Sequence, residues 1–303
     1  MEKVRCYLCR ADDYEVIDTQ TFEDTYLEMI NSAYQQQPRD LVTCKNCGFV
    51  YHTPSLDEAD LKTLYERFRD FSFRGETSDE YFDRITSFPP GESENHRKLN
   101  WLAPRLKQHF GATESRSILD IGCGAGVFLK TFLDVMDGWS ASGVEPTRSF
   151  AEVASRRLDI EVAAQEYEPG LLERKFDFIS IIQTLEHVKD PVEFLVGVAD
   201  DLLDGGLVYI EVPDVRDLKG LPPDHDLFMM QHLYIFSVRA LTRICALAGF
   251  GVVETDRVQS VRGQWDLRVL CVRDTGVAPD DMPFDDYREV LRLCREKTID
   301  ADV

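Results

Sequence analysis

The sequence predicts an α/β protein with a mostly parallel, seven-stranded sheet, one strand antiparallel, and a small module in front of it. Three observations carry this expectation. Strand-length apolar runs alternate with amphipathic helical stretches from residue 117 onward, as expected for a parallel sheet covered on both faces. A glycine-rich turn, Asp120-Ile121-Gly122-Cys123-Gly124-Ala125-Gly126, joins the first of these strands to the first helix. Two Cys-x2-Cys pairs stand near the N-terminus.

The elements follow in order. Residues 1–52 are polar and turn-rich around the cysteine pairs, and 57–69 repeat Leu61, Leu64, Tyr65 and Phe68 at helical spacing. Residues 1–70 are therefore expected to form one module. Residues 71–95, aromatic and broken by Pro89-Pro90-Gly91, read as a loop-like linker or lid. A helix with Leu99, Leu102 and Leu106 opens the main domain, 96–275. Strands are expected at 117–122, 140–145, 160–163, 176–182 and 206–212, with helices at 125–137, 147–158 and 190–203 between them. Helix 237–248 stops at Gly249, and two β-rich runs, 251–258 and 265–273, read as a hairpin that brings in the antiparallel strand. Residues 276–303 read as an acidic tail with some helical character.

Bulk composition narrows the function classes. The formal net charge of −21 would repel RNA or DNA over most of the surface, so a nucleic-acid partner is not expected. The chain holds 32 Asp against 10 Lys, a balance that suits either a solvated acidic enzyme or concentrated salt. No run approaches the ~20 apolar residues that cross a bilayer, and the N-terminus has no apolar segment of the secretory kind. The expected location is the cytoplasm, with no membrane partner.

Glycines at 122, 124 and 126 let the backbone turn tightly and come close to a ligand, next to the unpaired N–H groups of a helix start. Glu145 ends the second strand, where a carboxylate can accept from both hydroxyls of a ribose. The dinucleotide fingerprint GxGxxG is the competing reading. Here the spacing is GxGxG, and Asp120 would repel a pyrophosphate but suits a ligand bearing an ammonium and a sulfonium. Cys6, Cys9, Cys44 and Cys47 can point four thiolates at one Zn2+, which completes a tetrahedron and makes the ion structural. The front module is therefore expected to be zinc-ribbon-like.

The segment 118–126, Gly143-Val144-Glu145-Pro146, Phe176-Asp177-Phe178-Ile179, Leu185-Glu186-His187-Val188-Lys189-Asp190-Pro191 and Leu203-Asp204-Gly205-Gly206 together resemble class I S-adenosylmethionine-dependent methyltransferases over residues 96–275. The resemblance implies a Rossmann-like fold and S-adenosyl-L-methionine as cofactor. It implies that Gly122, Gly124 and Gly126 pack against the methionine part and that Asp120 reaches its amino group. Glu145 with Pro146 would hold the ribose, Gln165 or Glu166 the adenine, and Gln183 would border the transferred methyl. The tetracysteine front followed by Phe49-Val50-Tyr51-His52-Thr53-Pro54 is similar to deoxysugar C-methyltransferases and to related natural-product and glycan enzymes. Those sugar enzymes carry a long further domain, whereas about 30 residues follow the last strand here, so transfer to oxygen or nitrogen stays open.

The expected activity is methyl transfer to a small-molecule acceptor with a histidine as general base. His187 and His232 fall after strand ends that should border the pocket, with Tyr234 as a further proton donor or acceptor. The sugar enzymes place a histidine in a segment similar to that of His232 and use it as base. His225 is a third candidate, in a polar loop. Gln183-x2-Glu186-His187 resembles an ExxEH segment of methyltransferases that hold a divalent ion, with Gln in the first place. The alternative readings are an RNA or protein methyltransferase whose zinc module grips a macromolecule, and a non-catalytic cofactor binder.

Overall fold

The computed structural model describes residues 3–21, 30, 37–67, 75–111, 115–218, 221, 225–274, 276, 279 and 282–295. The alternating pattern folds into a seven-stranded sheet in the order β10-β11-β8-β7-β4-β5-β6. Its strands are β4 (Arg116–Ile121), β5 (Trp139–Val144), β6 (Glu161–Ala163), β7 (Phe176–Ile182), β8 (Leu202–Pro213), β10 (Phe250–Gln259) and β11 (Trp265–Arg273). Strands β8, β7, β4, β5 and β6 pair in parallel, and β11 runs antiparallel between β8 and β10. The order reverses between β7 and β5 around β4, which opens a crevice beyond the strand ends at Ile121 and Val144.

Helices cover both faces. They are α3 (Glu94–Phe110), α4 (Val127–Val135), α5 (Arg148–Leu158), α6 (Pro191–Asp201) and α7 (Val238–Leu247). Three of them start at a side-chain cap. Ser93 and Ser237 cap α3 and α7 by accepting from His96 N and Ala240 N, and Asp190 caps α6 with Pro191 in its first turn. Apolar faces meet the sheet: Leu99, Leu102 and Leu106 of α3 and Phe128 and Phe132 of α4 pack with Ile118, Phe178 and Tyr209 in one buried cluster. Strand β8 begins at Leu202, earlier than its glycines suggest, because α6 ends there.

One expectation about the flanks is corrected. The stretch 71–95 is not a plain linker: Ser78–Thr86 forms α2, started by a capping box in which Thr77 and Glu80 bond each other's backbone N–H. Residues 68–74, Phe68 among them, lie outside the described residues. The helical character expected of the C-terminal stretch is present as helix α8 (Tyr287–Arg295), which buries Val290 and Cys294 with Leu41, Val50, Val215 and Ile235.

The front segment forms a second, antiparallel sheet, β1-β2-β3-β9, from β1 (Tyr14–Gln20), β2 (Arg39–Cys44), β3 (Val50–Thr53) and β9 (Tyr234–Ile235). Its fourth strand comes from the main domain, through Val50↔Ile235 and Tyr51↔Tyr234. Helix α1 (Glu58–Glu66) follows β3. Cys6, Tyr7, Val42, Phe49 and Leu64 share one buried cluster with Ile121, Ile179 and Val212 of the large sheet. The cysteine-bearing front and the α/β domain therefore bury one common core.

Candidate cofactor and acceptor site

A cavity of about 1480 Å³ is walled by Ile121, Val144, Ile182 and Pro213, the last residues of β4, β5, β7 and β8. A single small-ligand site takes roughly 300–1,000 Å³, so this one has room for a cofactor and an acceptor together.

The glycine turn forms one wall. Gly122 and Cys123 N–H donate to the Val144 carbonyl at 2.8 and 3.1 Å, which ties the turn to β5. Gly122 sits at φ +78°, and a Cβ there would stand 2.2 Å from Thr184 Oγ1. Only glycine allows the turn and the loop after β7 to lie this close. Gly124 donates its N–H to Glu145 Oε2 at 2.9 Å, and Thr147 N–H donates to Oε1 at 2.9 Å. The carboxylate is thus fixed just beyond the end of β5, on the cavity wall. Gly126 departs from the expected role. It is not on the cavity wall, and a Cβ there would meet Leu158 Cδ1 at 2.9 Å and Ala154 Cβ at 3.0 Å. That glycine serves the packing of α4 on α5.

Asp120 is buried and accepts from Ser180 Oγ at 2.6 Å. Burial pushes its carboxyl up to about 7, against the Ser180 hydrogen bond and helped by the charge of Glu145. A cationic ligand that pairs with Asp120 must therefore displace its proton at acid pH. S-adenosylmethionine affinity is expected to rise with pH, approaching tenfold per unit below about 7 and levelling above it. Calorimetry in buffers of different ionisation enthalpy checks this through the released proton. An affinity that is flat with pH, or a slope that persists in Asp120→Asn, would remove Asp120 from the site.

Pro146 and Glu166 line the cavity, whereas Gln165 is exposed and off its wall, so of the two adenine candidates only Glu166 faces the site. Gln183 lies on the wall at φ +51°, its N–H bonded to the Glu211 carbonyl at 2.8 Å and its side-chain amide donating to Asp266 Oδ1 at 2.9 Å. A non-glycine residue in the left-handed region is rare, and such positions cluster at functional sites.

The same cavity is lined by Glu186, His187 and His232. One donor atom from each lies within 4.8 Å of the others, and the two imidazoles stack with centroids 4.8 Å apart. The His187 Nδ1 is 2.6 Å from the Gln231 carbonyl, which can only accept. The proton of the neutral ring therefore sits on Nδ1, and Nε2 carries the lone pair.

Tyr234 is a correction. It is fully buried, it is not on the cavity wall, and its hydroxyl donates to the Leu185 (2.9 Å) and Val188 carbonyls. Burial raises its pKa well above that of a free phenol. It braces the turn that carries His187 and has no route to a substrate. His225 is likewise held, accepting from Leu227 N–H at 3.3 Å and contacting Gln264 Nε2 at 3.1 Å, and it is off the wall. His52 is structural: it is fully buried, with Nε2 3.2 Å from the Leu227 carbonyl, and burial holds its pKa well below the usual imidazole range.

The front sheet positions these loops. The Tyr65 hydroxyl of α1 lies 2.9 Å from both the His187 and Gln231 carbonyls. Buried Arg39 of β2 donates to the carbonyls of Phe228 (3.0 Å), Met229 (2.7 Å) and His232 (2.6 Å). Nothing local in sequence signals either brace, because the partners stand more than 100 residues away. In the same front sheet Cys6 and Cys47 Sγ are 3.5 Å apart, as are Cys9 and Cys44, and all four sulfurs lie within 4.8 Å of one another.

A parallel sheet with its order reversal at a glycine turn, a carboxylate closing the next strand, and one cavity beyond both define a class I methyltransferase fold. The chain belongs to the family described as "Methyltransferase domain", which matches residues 77–255. It is similar to the ubiquinone biosynthesis O-methyltransferase of Maricaulis maris, 28% identical over 141 residues, 43% of this chain and 55% of that protein. The enzyme of that name from Parvibaculum lavamentivorans is 29% identical over 142 residues, 43% of this chain and 56% of that one. The chain thus spans little more than half the length of the curated relatives it matches. In structure it is similar to magnesium protoporphyrin IX methyltransferase from Synechocystis PCC 6803, solved with bound S-adenosylmethionine. That likeness has a TM-score of 0.51 at 14% identity, over 73% of this chain and 100% of that one.

Proposed function

We propose that the protein transfers a methyl group from S-adenosyl-L-methionine to a small-molecule acceptor. The observation that carries this reading is the meeting of two groups in one cavity: the glycine turn with Glu145, and the cluster of Glu186, His187 and His232. When bound, the cofactor supplies an electrophilic methyl on a sulfonium leaving group. Glu145 would hold its ribose, Asp120 its ammonium, and Gly122 and Gly124 would let its methionine part lie against the backbone. Glu166 faces the adenine end, and Gln183 borders the methyl.

The chain's own task is then to align the nucleophile and take its proton. The histidine pair does this, with His232 as base and His187 beside it. The relatives' printed name points to oxygen as the methylated atom. A net charge of −21 favours a small acceptor over a polyanion. No helix among the described residues is long and apolar enough to cross a membrane, and we place the reaction in the cytoplasm.

Four thiolates around one zinc at ~2.3 Å stand about 3.8 Å apart. The observed sulfur separations bracket that spacing. We assign Cys6, Cys9, Cys44 and Cys47 to a structural Zn2+.

Calorimetry with S-adenosylmethionine, then mass spectrometry of products from a panel of hydroxyl- and amine-bearing small molecules, tests the reading. His232→Ala is expected to cut turnover by about 10²–10⁴ while cofactor affinity stays near that of the parent. Unchanged turnover in that variant would move the base elsewhere. Absence of cofactor binding would overturn the activity itself.

A second reading of the same cluster is favoured by one observation: donor atoms of one carboxylate and two imidazoles within 4.8 Å also suit a divalent cation. Mn2+ titration of the zinc-loaded protein, followed by electron paramagnetic resonance, separates the two. A bound ion that Glu186→Gln removes supports the metal, and free Mn2+ throughout supports the histidine base.

A further inference from the structure

Beside Gln183 the cavity holds a third polar group of residues, none of which the cofactor or the histidine pair uses. Lys98 of α3 and Glu211 of β8 form a buried ion pair at 2.7 Å, with side chains 9% and 1% exposed. The Tyr209 hydroxyl donates to the other oxygen of Glu211. Asp266, the second residue of β11, is 9% exposed and lines the cavity together with Lys98 and Gln183. Its Oδ1 is taken by the Gln183 amide at 2.9 Å. Its Oδ2 has no hydrogen-bond partner among the described residues and is not sealed from solvent.

Carboxylates outnumber cations around Asp266. Glu211 and Asp266 face the ammonium of Lys98, Glu94 of α3 adds a further negative charge, and Arg268, opposite Glu211 in the β8–β11 ladder, is paired with Asp256. Burial and the charge of Glu211 push the Asp266 carboxyl up to about 7, with Lys98 and Gln183 opposing. A buried carboxylate with one open oxygen beside another carboxylate is costly unless a cation or hydrogen-bond donor completes it. The position is functional as well. Gln183 holds Asp266 with the same side chain that borders the methyl in the reading above, and it does so from a strained backbone. Residues 98, 183, 211 and 266 meet at the C-terminal edge of the sheet from four separate elements.

We propose that Asp266, held by Gln183 and flanked by the Lys98–Glu211 pair, forms a cation subsite on the acceptor side of the cavity that takes a protonated amino group of the acceptor. The inference rests on the methyltransferase reading for the word acceptor, and its test does not depend on that reading. An ammonium donates to Oδ2, neutralises the excess negative charge and anchors the acceptor beside the methyl. A neutral alcohol of the same size supplies the hydrogen bond without the charge and gains less.

The test uses the full chain with zinc bound and methylammonium as the probe. The side-chain amide of Gln183 donates to Asp266, so its NMR resonances report directly on that carboxylate. Methylammonium chloride is expected to shift them saturably, while methanol and sodium chloride do not. Asp266→Asn, which keeps size and shape, should weaken the probe about tenfold or more. No saturable shift in the parent, an equal shift with methanol, or an unchanged affinity in Asp266→Asn would overturn the subsite. Repeating the titration with S-adenosylmethionine and with its demethylated product separates a last possibility. If only the sulfonium form blocks methylammonium, the cation that Asp266 meets is the cofactor's own and the acceptor assignment fails. Should neither form bind the protein, the methyltransferase reading fails, and the titration of the free protein still decides the subsite.

Discussion

Replacing Gly122 by alanine is expected to weaken S-adenosylmethionine binding by about two orders of magnitude or more, roughly 3 kcal/mol. Two effects add. The backbone at φ +78° is unfavourable for any side chain, a cost of about 1–2 kcal/mol. The new methyl would also stand 2.2 Å from Thr184 Oγ1, which real contacts do not reach. Thr184 cannot simply turn away, because its hydroxyl is bonded to the Ile182 carbonyl at 3.1 Å and lies 3.3 Å from that of Ile121. The strain therefore passes to the loop after β7, which carries Gln183 and His187. Gly138→Ala is the control. Its φ is +79°, yet nothing lies within 4 Å of the added carbon. It should cost only about 1 kcal/mol of stability and leave cofactor affinity unchanged. Calorimetry of both variants decides: equal effects would mean that backbone strain alone matters and that the close approach of the two loops does not.

The legible parts of this protein were those whose signal is local. Ile118-Leu119-Asp120-Ile121 followed by three glycines announces a strand, a turn and a helix within ten residues, and Glu145 is placed by the end of the next strand. The spacing of the paired cysteines announces their meeting, and all four sulfurs lie within 4.8 Å of one another. Helix α2 was signalled as well, by Thr77 and Glu80 three residues apart, but the aromatic residues around it and Pro89-Pro90 spoke for a loop. Gly126 fits the loop pattern, and only the fold shows that α5 and not the cavity demands it. Tyr234 and Asp266 lay beyond reach for one reason. A side chain's role is set by what the topology brings against it, here the carbonyls of Leu185 and Val188 and the amide of Gln183. Neither partner is within 40 residues in sequence.

Cys44→Ser is expected to abolish zinc binding at the proposed four-cysteine site and, with it, the order of the loops that carry His187 and His232. The sequence alone suggests that this change loosens residues 1–52 and leaves the cofactor site largely intact. The packing carries the damage further, to the loops of His187 and His232. Tyr7 stands between Cys6 and Cys9, and Phe49 follows Cys47 by two residues; both rings lie against Tyr234, at centroid distances of 5.1 and 5.3 Å. Tyr234 braces the turn of His187, while Arg39 of the same sheet braces the loop of His232. Releasing the thiolates frees the knuckles, then β3 and its pairing with β9, then both histidines. The glycine turn, Asp120 and Glu145 are held by hydrogen bonds inside the α/β domain, to Val144, Ser180 and Thr147, and the front reaches them less directly, through Ile121 in the shared core and through Thr147 Oγ1, which donates to the Tyr65 carbonyl at 3.2 Å. The variant should thus keep cofactor affinity within several-fold while losing most turnover. A structural zinc contributes several kcal/mol or more to folding. At ~2–4 °C per kcal/mol for a domain of this size, melting should fall by about 10–20 °C. Metal analysis should read about one zinc per chain in the parent and none in the variant. A parent protein that is purified without zinc, or a variant with unchanged melting and turnover, would show that the four sulfurs hold nothing the site depends on. A variant that loses cofactor binding as completely as turnover would show instead that the shared core, and not the two braced loops, transmits the damage.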